Sequence, residues 1–148
     1  MSRIGVFGGT FNPPHLGHLR LAQAAKAQCA LDTVLIMPAN IPPHKQAHDL
    51  VAGDDRLALC RLTFADEGFV VSDLELRRTG KSISPETLRM YANETLGLTE
   101  GEGYHVLLLE PMELSSTMIR ETIRQGGDAS GYLTAPANAY LKEKGLYR

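Results

Sequence analysis

The chain contains no tryptophan, and its cysteine is confined to Cys29 and Cys60. Neither cysteine belongs to a C-x-x-C pair and both fall in helix-like segments, so they read as core-packing thiols in a reducing compartment and not as a disulfide framework. No stretch approaches the roughly 18 consecutive apolar residues of a membrane-spanning helix. Neither sign of charge dominates: 15 Lys and Arg stand against 17 Asp and Glu, a net charge of −2. That excludes a basic field able to recruit nucleic acid in bulk, while a local cluster of donors can still bind a small anion. Residues 1–4 run straight into a strand-like segment, so no signal peptide is expected and the cytoplasm is the expected location. Repeats, low-complexity tracts and linkers are also lacking. What remains is a chain of 148 residues, 43% apolar, suited to one domain spanning 1–148 with a real core.

The apolar pattern alternates between short runs and helical spacing. Residues 3–7 (RIGVF) read as a buried strand followed by a glycine-rich turn. A helix is expected over 16–30, with Leu19, Ala22, Ala25 and Cys29 at helical spacing. Residues 33–37 (TVLIM) form a second buried run. Strand, helix and strand within about 35 residues make a βαβ unit with parallel strands and a right-handed crossover. A polar loop with Pro42, Pro43, His44 and Lys45 leads to a helix over 54–65, with Leu57, Cys60 and Phe64 on one face. A third strand fits 69–76. Ser84 followed by Pro85 is a helix start signal. A fourth strand fits Tyr104–Leu109. Ser115 or Ser116 is expected to cap a helix that carries Ile119 and Ile123 inward and stops at Gly126-Gly127. Thr134 and Pro136 open the last helix, which ends near Gly145. This alternation predicts an α/β fold with a mainly parallel sheet, in which ligands bind outside the carboxyl ends of the strands.

The densest chemistry lies in Gly8-Gly9-Thr10-Phe11-Asn12-Pro13-Pro14-His15-Leu16-Gly17-His18. Glycines directly after a strand allow a sharp turn and close approach of a ligand to the backbone. Thr10 offers a hydroxyl and an N–H. His15 and His18 lie three apart around the first helical turn, where free N–H groups and the helix dipole already favour anions. Two imidazoles there add donors for phosphate oxygens, with Gly17 leaving room between them. A metal site gathering His15, His18, His44 and His48 is disfavoured, because no carboxylate lies in the motif and Lys45 would set a positive charge beside the ion. Taken alone, Ser115 to Arg120 is an N-cap with an exposed arginine, Lys45 is a solvated loop lysine, and Arg56 is a helix-face charge.

The run GGTFNPPHLGH resembles the signature of the H-x-G-H nucleotidyltransferases, and within them the bacterial nicotinate-nucleotide adenylyltransferases. Ile41-Pro42-Pro43-His44-Lys45 is similar to that family's P-P-H-K loop, and Ser72 to Arg78 to its V-S-D-x-E-x-x-R stretch. Leu114 to Arg120 resembles I-S-S-T-x-I-R, and Gly145-Leu146-Tyr147-Arg148 the family's ending. The resemblance implies a Rossmann-like, doubly wound parallel sheet with flanking helices. It also implies adenylyl transfer from ATP to nicotinate mononucleotide, giving deamido-NAD and pyrophosphate in NAD biosynthesis, with no covalent enzyme intermediate. Carried over residue by residue, His15, His18 and Lys45 are the catalytic candidates. ATP phosphates would be held by Gly8, Gly9, Thr10, Phe11, His15, His18, Ser115, Ser116, Thr117 and Arg120. Ser84 and Lys45 would face the pyridine mononucleotide, and Mg²⁺ would arrive on the ATP.

The sequence also departs from that pattern. Between Leu88 and the serine signature only one strand-like run is found, with no G-x-D step after it, so the sheet is expected to be one strand shorter than the family's. The family's S-Y-T-x-D-T-L reads Ser82-Ile83-Ser84-Pro85-Glu86-Thr87-Leu88, and Ile83 cannot replace a tyrosine hydroxyl. A sheet that loses a strand exposes an edge or a core face, which a homo-oligomer or a rearranged helix would cover. Two further readings follow: a pantetheine-phosphate adenylyltransferase-like enzyme, and a nucleotide-binding protein that transfers nothing.

Overall fold

The structure is a computed structural model that describes residues 2–40, 50–78, 85–105 and 113–148. The chain begins with β1 (Ile4–Gly9), α1 (Leu16–Gln28) and β2 (Thr33–Pro38), the expected βαβ unit. Helix α2 (Gly53–Thr63), strand β3 (Phe69–Val71) and a single helical turn α3 (Leu74–Arg77) follow. Helix α4 (Pro85–Met90) widens into a π-helical turn over Tyr91–Thr95. Helix α5 (Glu113–Arg124), a 3₁₀ turn at Ser130–Tyr132 and α6 (Ala135–Lys144) complete the described elements.

Among the described residues the sheet has three strands in the order β1-β2-β3. All pairing is parallel, with Ile4 opposite Thr33 and Gly9 opposite Pro38, and with Val34 opposite Phe69. Because strand side chains alternate between faces, Val34 and Ile36 point into a core with Ala22 of α1, Cys60 of α2 and Phe64 just beyond it. On the other face Ile4, Val6 and Val70 are exposed. Helix α2 is buried on two sides. Its Cys60 joins the sheet core, while the neighbouring Leu59 joins a second core with Ile119, Ala129, Leu133, Ala137 and Leu141. This second core fastens α5 and α6 to α2, beside the carboxyl end of the sheet. The architecture is therefore α/β with a parallel sheet and flanking helices, as the alternation predicts.

Several boundaries differ from the sequence reading. Gly8 and Gly9 are the last residues of β1, paired with Met37 and Pro38, and not a turn. Strand β3 stops at Val71 and not at Leu76. Ser72 still donates its N–H to Ile36, but its hydroxyl then accepts from the N–H of Leu74 and starts the helical turn. Helix α5 begins at Glu113, so Ser115 and Ser116 lie inside its first turn and do not cap it. Its end is as expected. Gly126 is left-handed at φ +77, and Gly126 and Gly127 return their N–H groups to Ile123 and Thr122, the paired bonds of a Schellman motif. Thr134 caps α6 by accepting the Ala137 N–H, and Gly145 ends it at φ +62. Of the expected fourth strand, Tyr104 forms an isolated bridge with Glu100, and residues 106–109 lie outside the described residues. Both cysteines are free. Cys60 is in the core, but Cys29 is only half-buried at the end of α1.

Candidate functional site

Beyond Gly9 the chain turns at Phe11, which sits at φ +51. A left-handed backbone costs a non-glycine residue about 1–2 kcal/mol. Burial offsets that cost here. The Phe11 ring is 2% exposed and meets Phe7, His18 and Phe64 edge-on at centroid distances of 5.3, 5.1 and 5.8 Å. A Cβ on Gly9 would come within 3.3 Å of that ring. Gly9 therefore makes room for the phenyl group, and Phe11 makes the turn that the sequence assigned to the glycines.

The turn delivers His15 to the N-cap of α1. Its Nδ1 accepts the Gly17 N–H at 3.0 Å, and the Nδ1 of His18 accepts the His15 N–H at 3.1 Å. Two histidines thus form a reciprocal capping box, a task usually given to Ser or Thr with Glu. Since both Nδ1 atoms accept backbone hydrogens, the ring hydrogen is assigned to Nε2 on each imidazole. The rings lie in contact, 3.8 Å between centroids at 35°. Gly17 thus serves as an N–H donor and not as a spacer between them.

Burial, with a smaller contribution from the adjacent His15, lowers the His18 pKa from 6.5 to about 3. His18 is accordingly neutral at pH 7. Its folded pKa lies below its unfolded one, so its contribution to stability is complete above pH 6.5 and is lost as pH falls toward 3. Between pH 6.5 and 4.5 this amounts to about 1–3 kcal/mol. Thermal melts of the wild type should show that loss, and His18→Gln should flatten the slope. An equal slope in both proteins would show that His18 is not the titrating group.

The segment between β1 and α1 is tied down from three directions. Ser116 and Arg120 of α5, more than a hundred residues away in sequence, donate to the backbone carbonyls of Pro13 at 3.2 Å and Asn12 at 2.9 Å. Arg56 of α2 is 1% exposed. Its guanidinium donates to the carbonyls of Thr10, Ala39 and Val51 at 2.9, 2.7 and 3.1 Å, joining the ends of β1 and β2 to the start of α2. The Tyr147 hydroxyl donates to Asn12 Oδ1 at 2.6 Å, an oxygen that also accepts the Val51 N–H at 3.3 Å.

The fold thus brings the glycine-histidine run and the serine signature into direct contact. It also alters some roles. The Ser116 hydroxyl is buried against Pro13 and not turned to a ligand. Thr117 is exposed, and its Oγ1 accepts from Arg120 at 3.2 Å. Thr10 engages Arg56 through its carbonyl. Gly8 is exposed at the strand end. Lys45 and Ser84 lie outside the described residues, as does the side chain of Ser115. Arg56, Asn12 and Tyr147 were not singled out from sequence. For Arg56 the available signal was its spacing of four from Cys60, which puts it on the buried face of α2.

Between the start of α1 and α5 lies a cleft of about 230 Å³, with walls that include His15, Gly17, Arg20, Met118, Ile119 and Tyr132. It runs from the His15 imidazole and Arg20 to the apolar side chains of Met118 and Ile119, a lining suited to a ligand with an anionic end and a flat apolar end. Among the described residues no group of three or more His, Cys, Asp or Glu is arranged to hold a metal ion, and no helix is long and apolar enough to cross a membrane.

Comparison with known proteins bears on this geometry. Residues 6–122 match the cytidylyltransferase-like family model. A probable nicotinate-nucleotide adenylyltransferase of Halalkalibacterium halodurans is 34% identical over 191 aligned positions, covering all of this chain and 92% of the relative. The alignment is longer than the chain, so the relative carries residues opposite a gap here. A protein of the same description from Synechococcus sp. (strain JA-3-3Ab) is 53% identical over 93 residues, covering 62% of this chain and 45% of the relative. The fold is similar to that of Plasmodium falciparum nicotinic acid mononucleotide adenylyltransferase complexed with NaAD, at a TM-score of 0.69 and 10% identity, over 99% of this chain and 98% of that one.

Proposed function

Because the chain belongs to the cytidylyltransferase-like family of nucleotidyltransferases, we propose that it transfers the adenylyl group of ATP to nicotinate mononucleotide. A phosphate oxygen of the mononucleotide bonds to the α-phosphorus, the bond from that phosphorus to the bridging oxygen breaks, and pyrophosphate leaves with the electron pair. The products are deamido-NAD and pyrophosphate. The observation that carries this reading is the imidazole pair, whose Nδ1 atoms are both held by backbone N–H groups. A phosphate monoester is already mostly dianionic at pH 7, its second pKa being about 6. The reaction therefore asks for no general base. It asks for donors where negative charge gathers, and for alignment. Neutral histidines with Nε2–H groups beside a helix N-terminus meet that demand.

His15 and His18 take the ATP phosphates in this reading, with the backbone of Gly8 to Phe11 alongside. Ser115 and Thr117, near the start of α5, are further ATP contacts in this reading, and Lys45 adds a compact positive charge. Arg120 acts mainly by fixing the Asn12 carbonyl, and Ser116 by fixing Pro13. The base is assigned to the cleft along Gly17 and Met118, and recognition of the nicotinate end of the acceptor to Ser84. Magnesium enters as the ATP complex, keeping its waters. The free cysteines support a reducing, cytoplasmic setting.

Pyrophosphate release should be measured with ATP and three acceptors in turn: nicotinate mononucleotide, nicotinamide mononucleotide and phosphopantetheine. Turnover with the first is expected. Turnover with phosphopantetheine alone would overturn the choice of substrate. The gap against the Halalkalibacterium relative favours one other reading, a nucleotide-binding protein without transfer. Calorimetric binding of ATP with no pyrophosphate from any acceptor would establish it.

A further inference from the structure

We propose that Tyr147 is a positioning residue of the phosphate grip, holding Asn12 and through it the two imidazoles in register for adenylyl transfer. This rests on the functional reading above.

The turn after α6 is built to deliver the phenol. Gly145 is left-handed at φ +62, and Tyr147 is left-handed again at φ +63, a conformation that a tyrosine adopts only where its surroundings hold it. The ring packs against the second core. The hydroxyl leaves that core and donates to Asn12 Oδ1 at 2.6 Å. Packing alone requires only the ring, so the hydroxyl has a separate task.

Asn12 is well placed to pass that task on. It is 6% exposed and stands three residues before His15. Its neighbour Phe11 lays its ring edge against the His18 ring. Pro13 and Pro14 form a stiff, buried link from Asn12 to the N-cap. The Asn12 backbone carbonyl is fixed by Arg120. Its side chain is fixed by Tyr147 and Val51 on one oxygen. Rotation of Asn12 would therefore move the left-handed turn on one side and the N-cap histidine on the other. Burial holds the phenol above its usual pKa, although Arg56 and Arg120 oppose that, so the hydroxyl keeps its proton and remains a donor. The Tyr147 hydroxyl is engaged by Asn12, so its effect passes through that residue.

The test is Tyr147→Phe, which keeps the ring and removes the donor. Wild type and variant are compared for pyrophosphate release from ATP and nicotinate mononucleotide, with melting temperatures measured alongside. A positioning role predicts a fall in kcat of about 10- to 100-fold, with KM for ATP within about twofold and a melting temperature within a few degrees. A kcat within twofold of wild type would overturn the proposal, as would a loss that tracks only a fall in folded fraction. If the wild type itself releases no pyrophosphate from any acceptor, the proposed function fails, and positioning is judged on the imidazoles directly. Long-range ¹H–¹⁵N spectra of His15 and His18 should then differ between wild type and variant. Identical spectra would sink it.

Discussion

Replacing His18 by alanine is expected to lower turnover by about 10²–10³-fold, the usual cost of removing one preorganised donor from developing negative charge. The change removes three things at once. It takes away the Nε2–H donor, the Nδ1 acceptor for the His15 N–H, and the ring that lies 3.8 Å from His15. The capping loss on its own should cost about 1 kcal/mol of stability, too little to unfold the domain at room temperature. Rate and stability therefore separate in the measurement. Pyrophosphate release should collapse while the variant still melts cooperatively. ATP binding by calorimetry should weaken far less than turnover, because the donor acts most strongly on the charge of the transition state. A rate within tenfold of wild type would count heavily against the imidazole pair as the catalytic feature.

Replacing Arg56 by methionine is expected to destabilise the protein by about 3–5 kcal/mol. The guanidinium serves the carbonyls of Thr10, Ala39 and Val51 from one buried position. Methionine fills similar space and serves none of them, and each of these part-buried carbonyls left unpaired costs about 1–2 kcal/mol. For a domain of this size, each kcal/mol moves the melting temperature by about 2–4 °C, so a drop of about 10 °C is expected. Arg56→Lys should recover only part of it, because a single ammonium cannot reproduce the planar fork that spans three carbonyls. A melting temperature within 3 °C of wild type for Arg56→Met would show that water replaces the lost donors and that the clamp is dispensable.

Much of this was legible in the chain. The alternation of short apolar runs with helical spacing located β1, α1, β2, α2 and α6 to within a few residues, because burial imposes a period of two or 3.6 on any element with one dry face. The glycine-histidine run located the link from β1 to α1 that carries the imidazole pair. The errors fell where a side chain competes with the backbone pattern. Ser72 ends β3 by accepting the Leu74 N–H, where hydrophobicity alone would have continued to Leu76. At Ser115 and Ser116 residue type suggested a cap, yet α5 starts two residues earlier. Phe11 makes a turn that a pattern reader gives to Gly8 and Gly9, because only the tertiary packing of its ring offsets a left-handed phenylalanine.

The sequence by itself determined the class of the fold, the position of the segment proposed to hold phosphate and the identity of its two histidines. These depend on local periodicity and on a short run of residues, and local information suffices for them. The tertiary structure alone decided what each residue of that segment does. It gave both Nδ1 atoms to the backbone and so assigned the ring hydrogens to Nε2. It turned Arg56 from a surface charge into a clamp on three carbonyls. It drew Ser116, Arg120 and Tyr147 onto Asn12 and Pro13 across more than a hundred residues. Such contacts have no local signature, since they arise from the relative placement of α2, α5 and the turn after α6, which the shared core at Leu59 and Ile119 fixes.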